Sequence, residues 1–153
     1  MLAWRIADDR WPLFDGGGAA RRGGRWNSPG RGVIYAGSSY AIGALEILVR
    51  TGRQAPPRHH AFIRIDIPDA VHVERLEVNA VTGWDEPGME ASRRFGDSWL
   101  RSARTAVLLV PSAVTRIDFN VVINPAHPDF AAITSTQPRP VEWDARLFGG
   151  AVR

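Results

Sequence analysis

Apolar and polar residues alternate over Ala61, Ile63, Ile65 and Ile67 against Phe62, Arg64 and Asp66, the period-two pattern of a strand with one face on a core. Shorter apolar runs at 1–7, 33–36 and 106–110 predict further strands, the first with Trp4 and Ile6 on one side and the last stopped by Pro111-Ser112. Residues 115–123 read as another strand, after which Asn124 serves as a turn or cap residue before Pro125. The alternation of Val141, Trp143, Ala145 and Leu147 predicts one more. Over 71–78 the alternation slips phase between Val73 and Leu76, as it does at a bulge or between two short strands.

Helical spacing appears over 39–51, with Gly37-Ser38-Ser39 supplying a turn and an N-cap and Gly52 ending the helix. At ~100° per residue, Ala41, Ile42, Leu45, Leu48 and Val49 share one apolar arc. Glu46 falls on the edge of that arc, beside Ile42 and Val49. Residues 90–104 predict a helix in two pieces, with Asp97 as a second N-cap. Residues 15–24 form a glycine-rich loop that misses the dinucleotide fingerprint, because Arg21 stands where that pattern needs glycine. Many short strands, few helices and one core predict a single α+β domain over 1–153.

Composition narrows the chemistry. With no cysteine, disulfides, thiol nucleophiles and cysteine-bound metals are excluded, and a reducing, cytoplasmic setting is expected. The opening ten residues carry charge at once and lack the apolar centre of a signal peptide; no stretch approaches a membrane span. All 19 basic residues are arginine. Phosphate-loop, Schiff-base and kinase-type lysines are therefore impossible, whereas guanidinium forks suit phosphates and carboxylates. The net charge of +3 permits an anionic ligand without arguing for nucleic acid. His59 and His60 are adjacent and would face opposite ways on a strand, and no His-Glu-x-x-His run exists, so no metal is assigned.

What remains is concentrated at one strand-to-helix junction: Arg25 in Gly23-Gly24-Arg25-Trp26-Asn27, then Tyr35 and Glu46. A carboxylate at an apolar margin must be paired, protonated or used. An arginine can neutralise a pyrophosphate, a tyrosine ring can stack on a planar heterocycle, and a carboxylate can steady positive charge as a glycosidic bond breaks. When the leaving group is already cationic, as nicotinamide is, one carboxylate suffices without a general acid.

These residues sit inside a longer series. Trp4-Arg5-Ile6, Gly24-Arg25-Trp26-Asn27 with Pro29-Gly30, Tyr35-Ala36, Ala44-Leu45-Glu46, Gly96-Asp97-Ser98-Trp99-Leu100, Val110-Pro111-Ser112-Ala113, Asn124-Pro125-Ala126-His127-Pro128 and Trp143-Asp144-Ala145-Arg146-Leu147 follow one another along nearly the whole chain. In that order they resemble the RES-domain toxins of bacterial RES–Xre toxin–antitoxin systems. The resemblance implies a fold similar to that of ADP-ribosyltransferases and an enzyme that consumes NAD+ as substrate. It implies that Arg25 holds the phosphates or ribose, Tyr35 packs on nicotinamide, Glu46 stabilises the ribosyl cation and Ser112 lines the pocket. As a plain turn residue, Ser112 would satisfy backbone after the proline; Trp26 reads as a core aromatic beside the site. The resemblance further implies a Xre-type helix-turn-helix antitoxin that covers the pocket and carries the DNA binding, with room for a homo-oligomer within the complex.

Water or phosphate as acceptor makes the enzyme a glycohydrolase or phosphorylase; a protein acceptor makes it a mono-ADP-ribosyltransferase. The sequence leaves this open. An arginine-rich nucleic-acid-binding module is the reading from another class. It needs clustered basic residues with exposed aromatics, and here only Arg21-Arg22 to Arg25 is locally dense.

Overall fold

The computed structural model describes residues 1–52 and 54–149, so the C-terminal end of the expected 1–153 domain lies outside the described residues. Eight strands form one mixed sheet: β1 (Leu2–Asp8), β2 (Ile34–Gly37), β3 (His60–Asp66), β4 (Val73–Arg75), β5 (Val107–Pro111), β6 (Phe119–Ile123), β7 (Thr134–Ser135) and β8 (Arg139–Pro140). Their order is β4-β5-β6-β2-β1-β3-β7, with β8 also on β3. Among the described residues only the β4–β5 pair is parallel. Among the described residues three α-helices complete the α+β fold: α1 (Gly17–Arg22), α2 (Tyr40–Thr51) and α3 (Glu90–Ser102).

Cross-strand pairs share a face, and the register sorts the core into two layers. Ala3, Ile34, Ala36, Ile63, Ile65, Val107, Val121 and Ile123 pack on one side. Val122, Leu108 and Val110 lie on the other, under Trp26, Trp84 and Trp99. All four of the alternating residues Ala61, Ile63, Ile65 and Ile67 are buried.

Helix α2 starts as expected: the Ser39 side chain accepts from the Ile42 amide, and Gly52 ends the helix at φ 79°. Its predicted apolar arc is turned, however. Ala41, Leu45 and Val49 are exposed, while Gly43 and Ile47 are buried with Ile42 and Leu48. The cause is a glycine–glycine contact. A Cβ on Gly37 would lie 2.6 Å from the Gly43 nitrogen, so α2 rests directly on β2 along its glycine side. Glu46 is thereby rotated from the edge of the buried face to between Ile42 and Ile47, toward the sheet.

Five other expectations are corrected. The glycine-rich loop at 15–24 contains α1, whose Ala19-Ala20-Arg21-Arg22 run is helix-forming and whose Ala19 carbonyl accepts from the buried Asn27 amide. Helix α3 is continuous rather than broken at Asp97, because the Asp97 carboxylate is engaged by Ser28 instead of capping. The strand expected at 115–123 begins only at Phe119; the turn before it is held by Ser112 and includes Arg116 at φ 63°. Near the C-terminus, Asp144 caps a 3-10 turn over Ala145–Phe148, which replaces the expected strand at 141–147. The slipped alternation at 71–78 resolves into the single short strand β4.

Candidate active site

The register of the central strands fixes where Glu46 lands. Gly37 of β2 opposes Asn120 of β6, and Asn120 opposes Val110 of β5. Ser112 lies two residues beyond Val110 and so continues the same face. With α2 seated on Gly37 through Gly43, Glu46 is one helical turn further on and meets both polar side chains. Its Oε1 accepts from Asn120 Nδ2 at 2.7 Å and from Ser112 Oγ at 2.8 Å. Among the described residues, Oε2 accepts no hydrogen bond, is not sealed in the core, and no arginine pairs with the carboxylate. Two neutral donors therefore orient the group through one oxygen.

Ser112 takes the turn role raised for it and also meets Glu46. It is buried, and while its hydroxyl donates to Glu46 it accepts from the Val114 and Thr115 amides. Those two amides use its lone pairs and aim its proton at the carboxylate.

Tyr35 lies two residues before Gly37 on β2, on the face that carries Glu46's partners. Its hydroxyl is committed to the arginine loop, donating to Asn27 Oδ1 at 2.7 Å and accepting from the Trp26 amide at 2.9 Å. A Cβ on Gly24 would stand 2.6 Å from that hydroxyl, which is why glycine precedes the arginine. Burial pushes the phenol well above its ordinary pKa, with the Trp26 amide opposing, so it remains a neutral donor.

Arg25 is carried on this loop, and α3 pins the loop from outside. Arg93 Nε donates to the Gly24 carbonyl at 2.8 Å, and Asp97 accepts from both the amide and the hydroxyl of Ser28. Gly96 lets the loop approach, since a Cβ there would overlap the Trp26 carbonyl oxygen. The guanidinium is held through one nitrogen: Nη1 donates to the carbonyls of Trp84 (3.0 Å) and Glu86 (2.9 Å). Its Nε and Nη2 have no acceptor among the described residues and are not sealed from solvent, which presents a two-donor edge. Trp26 is buried and stacks on Trp84 at 6.2 Å, a core aromatic as expected. Asn124 likewise takes its turn role, its Oδ1 accepting from the Ala126 amide.

Two residues outside the expected set belong to the description. Asn120 shows no signal in the sequence beyond a polar residue in an apolar strand; its pairing with Glu46 spans 74 residues. Arg5 sits where β1 and β2, which share the single pair Trp4↔Gly37, part company. Its Nη1 donates to the Tyr35 carbonyl at 2.9 Å, and its Nε is buried without an acceptor. Burial brings its pKa down to about 10; nearby Asp15 opposes this and Arg50 adds to it. The signal available was the charge within the inward alternation of 1–7.

The chain is 39% identical over 154 residues to the Prs ADP-ribosylating toxin of Sphingobium sp. (strain YBL2), covering 95% of each chain. It is 31% identical to Toxin Res of Yersinia enterocolitica over 96% of this chain and 99% of that one. Its fold matches a chain of the crystal structure of the M. tuberculosis MbcT–MbcA toxin–antitoxin complex with a TM-score of 0.72. That match covers 97% of this chain and 86% of the other at 19% identity, in keeping with the fold expected from the sequence. A family model for the RES domain matches residues 2–144, and the chain belongs to the RES-domain family.

Proposed function

We propose that this chain is the toxin of a toxin–antitoxin pair and cleaves the nicotinamide–ribose bond of NAD+. The observation that carries the reading is Glu46: a carboxylate with Oε1 fixed by Ser112 and Asn120 and Oε2 unpaired among the described residues. As the bond from ribose C1′ to the nicotinamide nitrogen breaks, its electron pair leaves with nicotinamide and positive charge builds on the ribose. A preorganised carboxylate beside that charge stabilises the transition state more than the ground state. Arg25 would offer its free Nε and Nη2 to the phosphates, and the Tyr35 ring would pack on nicotinamide. When water attacks C1′, its oxygen forms the new bond and its proton passes to solvent.

Incubation of the purified protein with NAD+, with and without phosphate, and identification of products by mass spectrometry tests this directly. Free nicotinamide with ADP-ribose, or with ADP-ribose-1″-phosphate when phosphate is present, is expected. Intact NAD+ in both arms sinks the reading.

A mono-ADP-ribosyltransferase is the second reading, favoured by the name of the Sphingobium relative. The same residues serve it, because only the nucleophile at C1′ differs. Labelled NAD+ added to a cell lysate would mark a protein band if this reading holds.

The partner in this proposal is a Xre-type antitoxin whose segment covers the site around Arg25, Tyr35 and Glu46. The solved neighbour is itself a toxin–antitoxin complex, which supports a partner of that kind. Antitoxin and NAD+ should then compete, each weakening the other's binding by the same factor. Undiminished NAD+ affinity in the preformed complex would place the antitoxin elsewhere.

A further inference from the structure

The two carbonyls that hold Arg25 belong to Trp84 and Glu86, the residues on either side of Asp85. Asp85 itself bonds to a different turn. Its carboxylate accepts from Arg116 Nη1 at 2.5 Å. Arg116 stands on the turn that Ser112 builds, its amide donating to the Ser112 carbonyl at 2.9 Å while Val114 and Thr115 bond the Ser112 hydroxyl. That same hydroxyl orients Glu46. The Asp85–Arg116 pair thus joins two turns: the one over 84–86 that holds Arg25 and the one over 112–116 that orients Glu46.

The first of these turns is well anchored for such a task. Trp84 is buried and stacks on Trp26, the residue after Arg25. Gly83 at φ 77° lets the chain reverse, and successive bonds from the Trp84, Glu86 and Met89 amides keep the segment in turns. The ion pair, by contrast, is largely solvent-exposed, with side-chain accessibilities of 64% for Arg116 and 31% for Asp85. An exposed pair contributes little to global stability, so its use has to be sought in geometry.

We infer that Asp85 and Arg116 are positioning residues: their pair ties the turn that grips Arg25 to the turn that orients Ser112 and Glu46, and so sets the spacing between the anion-binding and cation-stabilising groups. This rests on the reading of Arg25 and Glu46 given above. Placement of substrate groups is sensitive to small displacements, and a loosened turn lets Arg25 drift while Glu46 stays held by Ser112 and Asn120.

Asp85→Asn, Arg116→Gln and the double variant test it. Each single variant should raise the KM for NAD+ roughly three- to tenfold with kcat nearly unchanged, and the double variant should lose no more than either single. Thermal melting should move little. Losses that multiply in the double variant, or an unchanged KM, overturn the inference. Amide hydrogen exchange gives an arm independent of substrate. Asp85→Asn should speed exchange at 113–116, and Arg116→Gln should speed it at 84–89. Exchange that rises only in the mutated segment overturns the coupling. If the native protein neither binds nor consumes NAD+, the functional reading fails by itself, and the exchange arm still decides this one.

Discussion

Glu46 Oε1 accepts the side-chain amide of Asn120 at 2.7 Å, joining the helix after β2 to the strand that pairs with β2. Together with Ser112 Oγ at 2.8 Å on the same oxygen, this settles which carboxylate oxygen is occupied and which can face a ligand.

Glu46→Gln should abolish turnover in a folded protein. The amide oxygen can still accept from Ser112 and Asn120, so the fold is kept while the charge is lost. Removing a group that stabilises a transition-state charge typically costs ~10²–10³ in rate. If the proposal holds, expression of the inactive variant should not arrest growth; a folded Glu46→Gln protein that still consumes NAD+ near the native rate would remove Glu46 from the mechanism.

Asn120→Asp should do more harm than Asn120→Ala. The alanine variant loses one oriented donor, whereas the aspartate brings a second carboxylate against Glu46. Two such groups share a proton and raise one pKa of the pair. Activity that depends on ionised Glu46 is then lost at higher pH, so the acid limb of the pH–rate profile should shift upward for Asn120→Asp and stay in place for Asn120→Ala. Equal profiles for the two variants would show that Asn120 does not govern the charge of Glu46.

Arg25→Lys should weaken NAD+ binding nearly as much as Arg25→Ala. An ammonium can still reach one carbonyl of Trp84 or Glu86 but cannot offer a second edge of paired donors. Calorimetric titration checks this, and a native dissociation constant in the lysine variant would place Arg25 outside the binding site.

Arg5→Met should leave stability at neutral pH unchanged or higher. The buried guanidinium carries a desolvation penalty that one hydrogen bond to Tyr35 only partly offsets, and apolar replacements of buried charges are often neutral or stabilising. The sign of the pH dependence follows from the lowered pKa. As pH rises above about 10 the folded protein gives up this proton before the unfolded chain does, so the cost of burying the charge is progressively relieved and the group comes to favour folding. The melting advantage of Arg5→Met over the native chain should therefore shrink as pH rises above about 10. A constant difference across that range would mean that Arg5 is not desolvated.

Gly96→Ala should be strongly destabilising although alanine is the better helix former. The added methyl would overlap the Trp26 carbonyl, and relieving it requires α3 to move off the arginine loop. Overpacking of this kind costs ~1–3 kcal/mol or more, to be read from denaturant midpoints. A melting point equal to the native one would show that α3 and the loop are less closely packed than the structure has them.

Local rules carried the sequence a long way. The alternation of 61–67 marked β3, Ser39 and Gly52 marked the ends of α2, and glycine, arginine and serine motifs in order pointed to the RES family, because each of these depends on neighbours in the chain. Periodicity also brought Glu46 to notice as a carboxylate in an apolar setting. Its partners were beyond reach of any local rule. The rotation of α2 depends on how Gly43 meets Gly37, and the meeting of Glu46 with Ser112 and Asn120 depends on strand register across 66 and 74 residues. Asp97 reads locally as a cap and instead holds Ser28, because the tertiary fold brings a better donor pair to it than a helix end would. Arg5 was visible as a charge in a strand, but only the separation of β1 from β2 decides that its Nε is buried without an acceptor. Sequence determined which residue types were available for the chemistry; long-range register and glycine-mediated contact decided which atoms face one another.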